Sequence, residues 1–376
     1  MTASPLISVV IPTYKECLNI PLIAQAIRDC LSNVHFEIIF VDDDSQDGSA
    51  AAVEALQDNM PVSIIVRTGV RGLSTAVIEG IVNARGKYVV VMDADLSHPA
   101  SAILDIIALL QSGNADFVIG SRYVDGGSFD ENWGLFRLLN SKLATWLAMP
   151  LCHVKDPMSG FFAFERENMP PIHKLSPVGY KIGLEILVKG EFSQPSEVPI
   201  HFVDRQHGES KLDFKEQIRY LKHLRRLYQY KYTTLAEFIQ FGIVGSTGFI
   251  VDTIVYFSLQ FLFGLGHLNA RALSFWPAVT WNWYFNRVVT FTNSDRKKKL
   301  KQWLSFSVTS LFGFAVNVGS YRLLTDFVPF FVEHKFMAFI VGVALGMGFN
   351  FMAARIFVFK PLEDEMIAEI DSQKRS

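Results

Sequence analysis

Short apolar runs alternate with amphipathic segments over the first 120 residues of the chain. Runs rich in β-branched and aromatic residues predict five buried strands, at 7–11, 37–41, 62–66, 88–92 and 117–119. Apolar positions at helical spacing predict intervening helices near 20–32, 73–84 and 100–111. Strands that alternate with helices indicate an α/β fold with a mostly parallel, Rossmann-like sheet.

Past residue 235 the pattern changes to long apolar stretches. Each exceeds the roughly 20 residues that cross the hydrocarbon core of a bilayer. The stretches lie near 238–263, 268–291, 303–328 and 334–358. The second is the weakest, because Asn282, Asn286 and Arg287 interrupt it. We predict four transmembrane helices.

An internal repeat supports this count. Residues 238–252 align with 303–317, and residues 281–291 resemble 349–359. The matched positions include Asn282 with Asn350, Arg287 with Arg355, and Asp252 with Asn317. Two copies of a helix hairpin explain the repeat. Arg287 and Arg355 are expected to extend their side chains to the membrane surface.

The segment 213–232 joins the two patterns and is both basic and amphipathic. Apolar residues recur every three or four positions, at Phe214, Ile218, Leu221, Leu224 and Leu227. Basic residues stand between them, at Arg219, Lys222, Arg225 and Arg226. A helix at the membrane interface is one interpretation. A helix packed on the α/β domain is the other.

These patterns divide the chain of 376 residues into an α/β domain, an interfacial helix region, a membrane domain and a polar tail. The corresponding ranges are 1–212, 213–234, 235–360 and 361–376. Residues 1–210 carry a net charge of −10, and the remainder carries +8. An acidic front part and a basic, apolar back part indicate an enzyme tethered to an anionic membrane, and not a nucleic-acid-binding protein.

The orientation follows from the positive charges beside the spans. Basic residues precede the first span and join the second to the third, in the cluster Arg296, Lys297, Lys298, Lys299 and Lys301. The N-terminus shows no secretory signal pattern, and the three cysteines show no metal or disulfide spacing. We expect a multi-pass protein whose α/β domain and both termini are cytosolic.

Acidic residues follow three of the predicted strands. Asp93 and Asp95 flank one residue after the fourth strand, Asp42–Asp44 end the second, and Glu16 follows the first. Ligands bind at the carboxyl ends of parallel strands, and Mg²⁺ is usually held by one or two carboxylates together with substrate phosphates. The pattern predicts a metal–diphosphate site. A solvated turn with Ser45 or Asp47 as a helix cap is the alternative for the second group.

Taken together, seven segments resemble the polyprenyl-phosphate (dolichol-phosphate) mannose synthase family, inverting family-2 glycosyltransferases of GT-A fold. In chain order they are PTYKE, VDDDSQDGS, VMDADLSHP, GSRY, KDPMSGFFAF, GYKIGLEIL and FVDRQHGESKL. They span essentially all of residues 7–212. The part after residue 235 resembles a GtrA-like four-helix membrane domain.

The resemblance implies roles for individual residues. The nucleoside would be held by Pro12, Tyr14, Glu16, Val41 and Asp43. The diphosphate and Mg²⁺ or Mn²⁺ would be held by Asp93, Ala94, Asp95 and Ser97, where the family commonly has Gln at the last position. The acceptor phosphate would be held by Arg122, Arg137 and Ser141, and the donor diphosphate also by Arg205 and Lys211. Asp95, Arg122 and Arg205 would act most directly in catalysis.

The implied reaction transfers mannose from GDP-mannose to a polyprenyl phosphate. A phosphate monoester has its second pKa near 6, so this nucleophile is already ionised and needs no general base. Single displacement would give a β-linked product. A UDP-sugar donor is the alternative within enzymes, and a lipid-linked sugar translocator is the alternative outside them. The expected partners are the donor, the lipid acceptor, the membrane and a second copy of the chain through the membrane domain.

Overall fold

The computed structural model describes residues 4–69, 71–129, 135–176, 181–203, 214–292, 294 and 299–360. The chain forms two compact units, Met1–Lys231 and Tyr232–Ser376. The segment predicted to be amphipathic therefore belongs to the first unit.

The first unit is built on a seven-stranded sheet with the strand order β3-β2-β1-β4-β7-β5-β8. The strands of this unit are β1 (Ile7–Thr13), β2 (Phe36–Asp42), β3 (Val62–Val66), β4 (Tyr88–Val91), β5 (Phe117–Ser121), β6 (Ser128–Phe129), β7 (Phe162–Glu165), β8 (Pro195–Pro199) and β9 (His201–Phe202). Strand β7 is antiparallel to β4 and β5, and the other pairs are parallel. β1, β2, β4 and β5 are almost completely buried, as their continuous apolar runs require. The mostly parallel sheet is confirmed.

Helices cover both faces of this sheet. They are α1 (Ile20–Cys30), α2 (Ser49–Glu54), α3 (Leu73–Asn83), α4 (Ala102–Gln111), α5 (Leu135–Ala148), α6 (Ile182–Lys189) and α7 (Phe214–Lys231). Short 3₁₀ turns occur at Met149–Leu151, Arg166–Asn168 and Ile172–Lys174. One apolar core lies around Phe40 and Ile103, and a second lies around Phe117 and Phe162.

Helix α7 packs one face against the rest of the first unit. Leu224 and Leu227 are buried in the core around Phe162, and the Tyr220 hydroxyl donates a hydrogen bond to the main-chain oxygen of Ala144 at 2.7 Å. Leu221 lies beside this packed face and is 55% exposed. The helix is thus packed on the domain and leaves part of its apolar stripe exposed.

The second unit consists of helices. They are α8 (Thr233–Phe263), α9 (His267–Phe285), α10 (Lys299–Phe327), the short α11 (Pro329–Glu333) and α12 (Lys335–Ala353). A π-helical turn follows α9 at Asn286–Thr290, and another follows α12 at Ala354–Val358. Within the described residues, two helical segments are long and apolar enough to cross a membrane, Thr233–Phe263 and Lys335–Val358.

Polar side chains connect these helices in pairs. Asp252 of α8 accepts hydrogen bonds from Arg271 and Ser274 of α9. Arg355 lies 3.0 Å from Glu237.

The surface extension expected of Arg287 is wrong. Its side chain is buried, bonds to Gln302, and lies over the ring of Trp283. Hydrogen bonding inside the unit satisfies this guanidinium, so it does not need to reach water.

Equivalent positions of the two hairpins make equivalent contacts. Gly248 packs against Asn282 in the first hairpin, and Gly313 packs against Asn350 in the second. Phe291 and its repeat counterpart Phe359 stack on each other, with ring centroids 4.7 Å apart. The faint repeat in the sequence therefore corresponds to a repeated packing arrangement.

Candidate active site

A cavity of about 910 Å³ opens at the carboxyl ends of the central strands of the first unit. It brings together nine of the residues predicted from the sequence, namely Pro12, Tyr14, Glu16, Asp43, Asp93, Ala94, Asp95, Arg122 and Ser141. Helices α5 and α7 add an apolar wall that includes Leu143, Leu147 and Leu221. A charged floor and an apolar wall suit a ligand that has a polar head and a hydrocarbon tail.

The turn after β4 presents the two acidic residues. Asp95 is nearly buried, and its Oδ1 accepts hydrogen bonds from the Ser97 hydroxyl at 2.5 Å and the Ser97 amide at 3.2 Å. The Asp93 side chain is 32% exposed. Leu96, between Asp95 and Ser97, has a φ of 62°, a conformation that a branched side chain rarely adopts and that clusters at functional sites.

His98 supports this turn from behind. Its Nδ1 accepts a hydrogen bond from the amide of Asp93 at 3.1 Å, and its ring stacks on Phe161 with centroids 5.2 Å apart. Burial lowers the pKa of His98, so the imidazole is neutral at neutral pH and keeps an acceptor nitrogen for that amide. The spacing of the motif did not reveal this contact.

The acidic pair suits a divalent cation that is shared with a diphosphate. Asp93 and Asp95 face one cavity, and Gly160 leaves room beside Asp93, because a β-carbon there would lie 3.2 Å from Oδ2. Within the described part of the chain, no group of three or more His, Cys, Asp or Glu residues could hold a metal ion. Two carboxylates completed by substrate oxygens are the usual magnesium arrangement.

The acidic triplet after β2 divides into separate roles. Both oxygens of Asp42 accept hydrogen bonds from Ser45, and Asp47 accepts one from the amide at the start of α2. Asp43 instead pairs with Arg67 and accepts a hydrogen bond from the amide of Gly72 at 2.7 Å. Asp43 is the member of the triplet that lines the cavity.

Tyr14 lies at the same end of the cavity. The Arg71 guanidinium stands over the Tyr14 ring, 5.1 Å from its centroid, and Arg71 donates a hydrogen bond to the Tyr14 hydroxyl at 3.2 Å. Val41 is fully buried in β2, so its side chain does not reach the cavity. The sequence did not single out Arg67 or Arg71, because an isolated arginine in a loop has no motif around it.

Arg122 is held in place by a buried carboxylate. Its Nε and Nη2 each donate a hydrogen bond to Asp156 at 2.8 Å, and its own amide donates to the same side chain at 3.1 Å. Asp156 is fully buried and fixed by bonds from two main-chain amides to Glu197. Burial opposes the charged form, but the hydrogen bonds that Arg122 donates to Asp156 raise the pKa of Arg122, so the guanidinium stays charged.

The remaining predicted residues are placed only in part. Ser141 lies on α5, and its hydroxyl is 3.0 Å from the hydroxyl of Tyr123. Arg137 is one turn earlier on the same helix, but its side chain lies outside the described residues. Arg205 and Lys211 also lie outside them.

Known proteins match both units. Residues 8–168 match Glycosyl transferase family 2, and residues 240–359 match the family described as GtrA/DPMS, transmembrane domain. The chain is 37% identical over 358 residues to a dolichol-phosphate mannosyltransferase of Pyrococcus furiosus, covering 93% of this chain and 98% of that protein. It is 41% identical over 248 residues to a dolichol-phosphate mannosyltransferase of Saccharomyces cerevisiae, covering 62% of this chain and 92% of that protein.

The crystal structure of glucosyl-3-phosphoglycerate synthase from Mycobacterium tuberculosis is a distant likeness. Its TM-score is 0.44 at 21% identity, covering 60% of this chain and 79% of that chain. The GT-A-like sheet, the acidic turn and the family 2 match define a glycosyltransferase joined to a membrane domain. The chain belongs to the dolichol-phosphate mannosyltransferase family.

Proposed function

We propose that this enzyme transfers mannose from GDP-mannose to the phosphate of a polyprenyl lipid such as dolichyl phosphate, with inversion at the anomeric carbon. One observation carries the proposal. The acidic residues Asp93 and Asp95 open onto the same cavity as Arg122 and Ser141. A donor diphosphate at the first pair and an acceptor phosphate at the second would therefore meet within one site.

The nucleoside end of the donor would lie against Pro12, Tyr14, Glu16 and Asp43. Arg67 and Gly72 hold the Asp43 carboxylate in a fixed orientation, which favours recognition of a base or ribose over solvation. Val41 would contribute only through its main chain. Arg205 and Lys211 would add positive charge at the diphosphate.

A divalent cation, Mg²⁺ or Mn²⁺, would be held by Asp93 and Asp95, and it would neutralise charge on the departing nucleotide. Ser97 would act through Asp95, since its hydroxyl donates a hydrogen bond to that carboxylate. Gln commonly stands at this position in the family. Because a serine side chain is shorter, water or the substrate would supply the remaining ligands of the metal.

The acceptor phosphate needs orientation, not deprotonation. Asp156 fixes the plane of the Arg122 guanidinium, and Arg137 and Ser141 on α5 would complete the site from the opposite wall. Because the second pKa of a phosphate monoester is near 6, the rate should rise between about pH 5 and 7 as the dianion forms.

The test is transfer by the purified full chain in detergent, with dolichyl phosphate and either GDP-mannose or UDP-glucose. We expect a lipid-extractable product from GDP-mannose, and a β-mannosidase should release its sugar. Transfer from UDP-glucose alone would show that the donor assignment is wrong. Release of the sugar by an α-mannosidase instead would show that the displacement is not a single inverting step.

For the membrane unit we propose four spans, formed by α8, α9, α10 and α12, with the catalytic unit and both termini cytosolic. The repeated hairpins support an even number, and the exposed face of α7 would lie at the membrane surface. Single cysteines placed at 265 and 300, in a chain whose three native cysteines are replaced by serine, test this. A membrane-impermeant thiol reagent should label the first from outside intact cells and the second only after lysis. Association through this unit stays a prediction that the mass of the detergent-solubilised protein checks.

A further inference from the structure

Lys181 is a cation of the active-site cavity that no motif assigned to a ligand. It immediately precedes α6 and lines the same cavity as Asp93, Arg122 and Ser141. The side chain is partly buried, and its Nζ donates a hydrogen bond to the main-chain oxygen of Met158 at 2.8 Å. The ammonium group therefore stands beside the loop that leads into β7.

The charge balance of the cavity leaves a role for a further cation. Asp156 is fully buried against Arg122, so the pair as a unit carries little net charge and mainly supplies hydrogen-bond geometry. A phosphate monoester is mostly a dianion at pH 7. A dianion that leaves water needs compensating positive charge close by.

Few described residues of the cavity lining can supply that charge. The basic side chains among them are those of Arg71, Arg122, Lys181 and His98. His98 is neutral, since burial lowers its pKa, and Arg71 stands over Tyr14 at the nucleoside end. Among these described residues, Lys181 is the one placed to balance the acceptor side, where the proposed function also expects Arg137.

The environment of Lys181 also weakens its ammonium form. Burial and, to a smaller extent, the charge of Arg122 lower the pKa of Lys181 to about 8, against the opposing effect of Asp156 and Asp93. A phosphate oxygen within hydrogen-bonding distance would raise this pKa again, because an opposite charge favours the charged form. Binding of the phosphate and protonation of the lysine would thus reinforce each other.

We propose that Lys181 binds the acceptor phosphate directly, together with Arg122 and Ser141. An ammonium group has three donors, so it can keep its bond to Met158 and still reach phosphate oxygens. The proposal rests on the proposed function and adds a contact to it. The competing explanation is structural, in which Lys181 only holds the Met158 carbonyl.

The experiment compares the wild type with Lys181→Met and Lys181→Arg in the full chain in detergent. We expect Lys181→Met to lower kcat/KM for dolichyl phosphate about 100-fold, as for removal of one partner of a buried charge pair. The affinity for GDP with Mn²⁺, measured by calorimetry, should stay within about twofold of the wild type, because this ligand lacks the acceptor phosphate. Lys181→Arg should retain most activity.

The pH profile separates binding from a structural role. In the wild type, kcat/KM for the acceptor should fall above about pH 8 as the ammonium deprotonates. In Lys181→Arg this fall should move to higher pH, because guanidinium stays charged. A lysine that merely supported the Met158 loop would not produce this shift, and the test remains valid if Lys181→Met folds poorly.

Lys87→Met is the matched control. Lys87 lies at the opposite end of β4, exposed and 3.2 Å from Glu165, and its loss should change neither constant. Wild-type kcat/KM for dolichyl phosphate in Lys181→Met would overturn the proposal, as would an equal loss of GDP affinity. A wild type that uses only another nucleotide-sugar would refute the donor assignment, and the same acceptor comparison would then be made with that donor.

Discussion

Ionised side chains are paired in both units of this protein, but the pairs are arranged differently. In the catalytic unit, Arg67 holds Asp43 and Asp156 holds Arg122 at the rim of an open cavity. In the membrane unit, Arg271 of α9 pairs with Asp252 of α8, which joins two helices of one hairpin. The first arrangement presents charge to a ligand, and the second turns it toward a neighbouring helix.

Pairs of charged side chains therefore serve two different purposes in this protein. A pair at a cavity rim fixes the direction of a charged group before a ligand arrives, so its loss should appear mainly in rates. A pair between helices contributes to association of those helices, so its loss should appear mainly in stability. Substitutions in each unit test that division.

Asp95→Asn should have the largest effect. Losing one of the two carboxylates proposed to hold the cation should lower kcat at least about 1,000-fold while the melting temperature changes little. Radiolabelled transfer with Mn²⁺ measures the rate. Asp105→Asn, on the exposed face of α4, is the matched control and should be unaffected. A chelator should abolish wild-type transfer, and full activity in its presence would contradict the metal site.

Asp156→Asn should have the next largest effect. Arg122 would lose the carboxylate that orients it, so kcat/KM for dolichyl phosphate should fall about 100-fold. Affinity for GDP should be retained, which calorimetry measures. An equal loss of GDP affinity would show that this pair serves the donor and would weaken the division of the cavity into donor and acceptor ends.

Gly248→Ala should affect the membrane unit without changing the chemistry. A β-carbon at this position would overlap Oδ1 of Asn282, so the side chain of Asn282 must move. We expect a loss of about 1–3 kcal/mol in stability, seen as a lower melting temperature in detergent. Gly245→Ala is the control, because nothing lies within 4 Å of its added carbon. Asn282→Ala in the same chain should restore part of the loss.

Asp252→Asn should have the smallest effect. The asparagine keeps a hydrogen-bond acceptor for Ser274 but loses the charge opposite Arg271, and polar contacts between membrane helices are worth roughly 1 kcal/mol. The melting temperature in detergent should fall slightly, and transfer should remain at the wild-type rate. A large loss of transfer would mean that the membrane unit takes part in the reaction, and the division of roles would be wrong.

Much of this architecture follows from local pattern. Strands Ile7–Thr13 and Phe36–Asp42 lie where the apolar runs predict them, because a central parallel strand is buried on both faces. Strand Val62–Val66 also lies where it was predicted, but it is at the edge of the sheet and only partly buried. Strand Pro195–Pro199 was not predicted. Two prolines in five residues are typical of a turn, and its edge position in the sheet tolerates them.

The residues of the candidate site also divide into those that local sequence pattern predicts and those that it does not. Asp93 and Asp95 are separated by one residue, so their spacing already indicated a site. Asp156 is brought to Arg122, and Lys181 into the same cavity, through folding of the antiparallel strand Phe162–Glu165 between two parallel neighbours. Both residues lie in segments that resemble the family, but the role of a side chain brought in by a long-range strand pairing becomes visible only from distance and burial.

The stacked rings of Phe291 and Phe359 bear on the origin of the membrane unit. Each ring packs against its own counterpart from the other hairpin, an isologous contact of the kind found at a two-fold axis. A homodimer of single hairpins would make a contact of this kind across its two-fold axis. Joining two copies in tandem would have made that association intramolecular and independent of protein concentration. The two copies are not identical, because Asp252 stands where the other hairpin has Asn317.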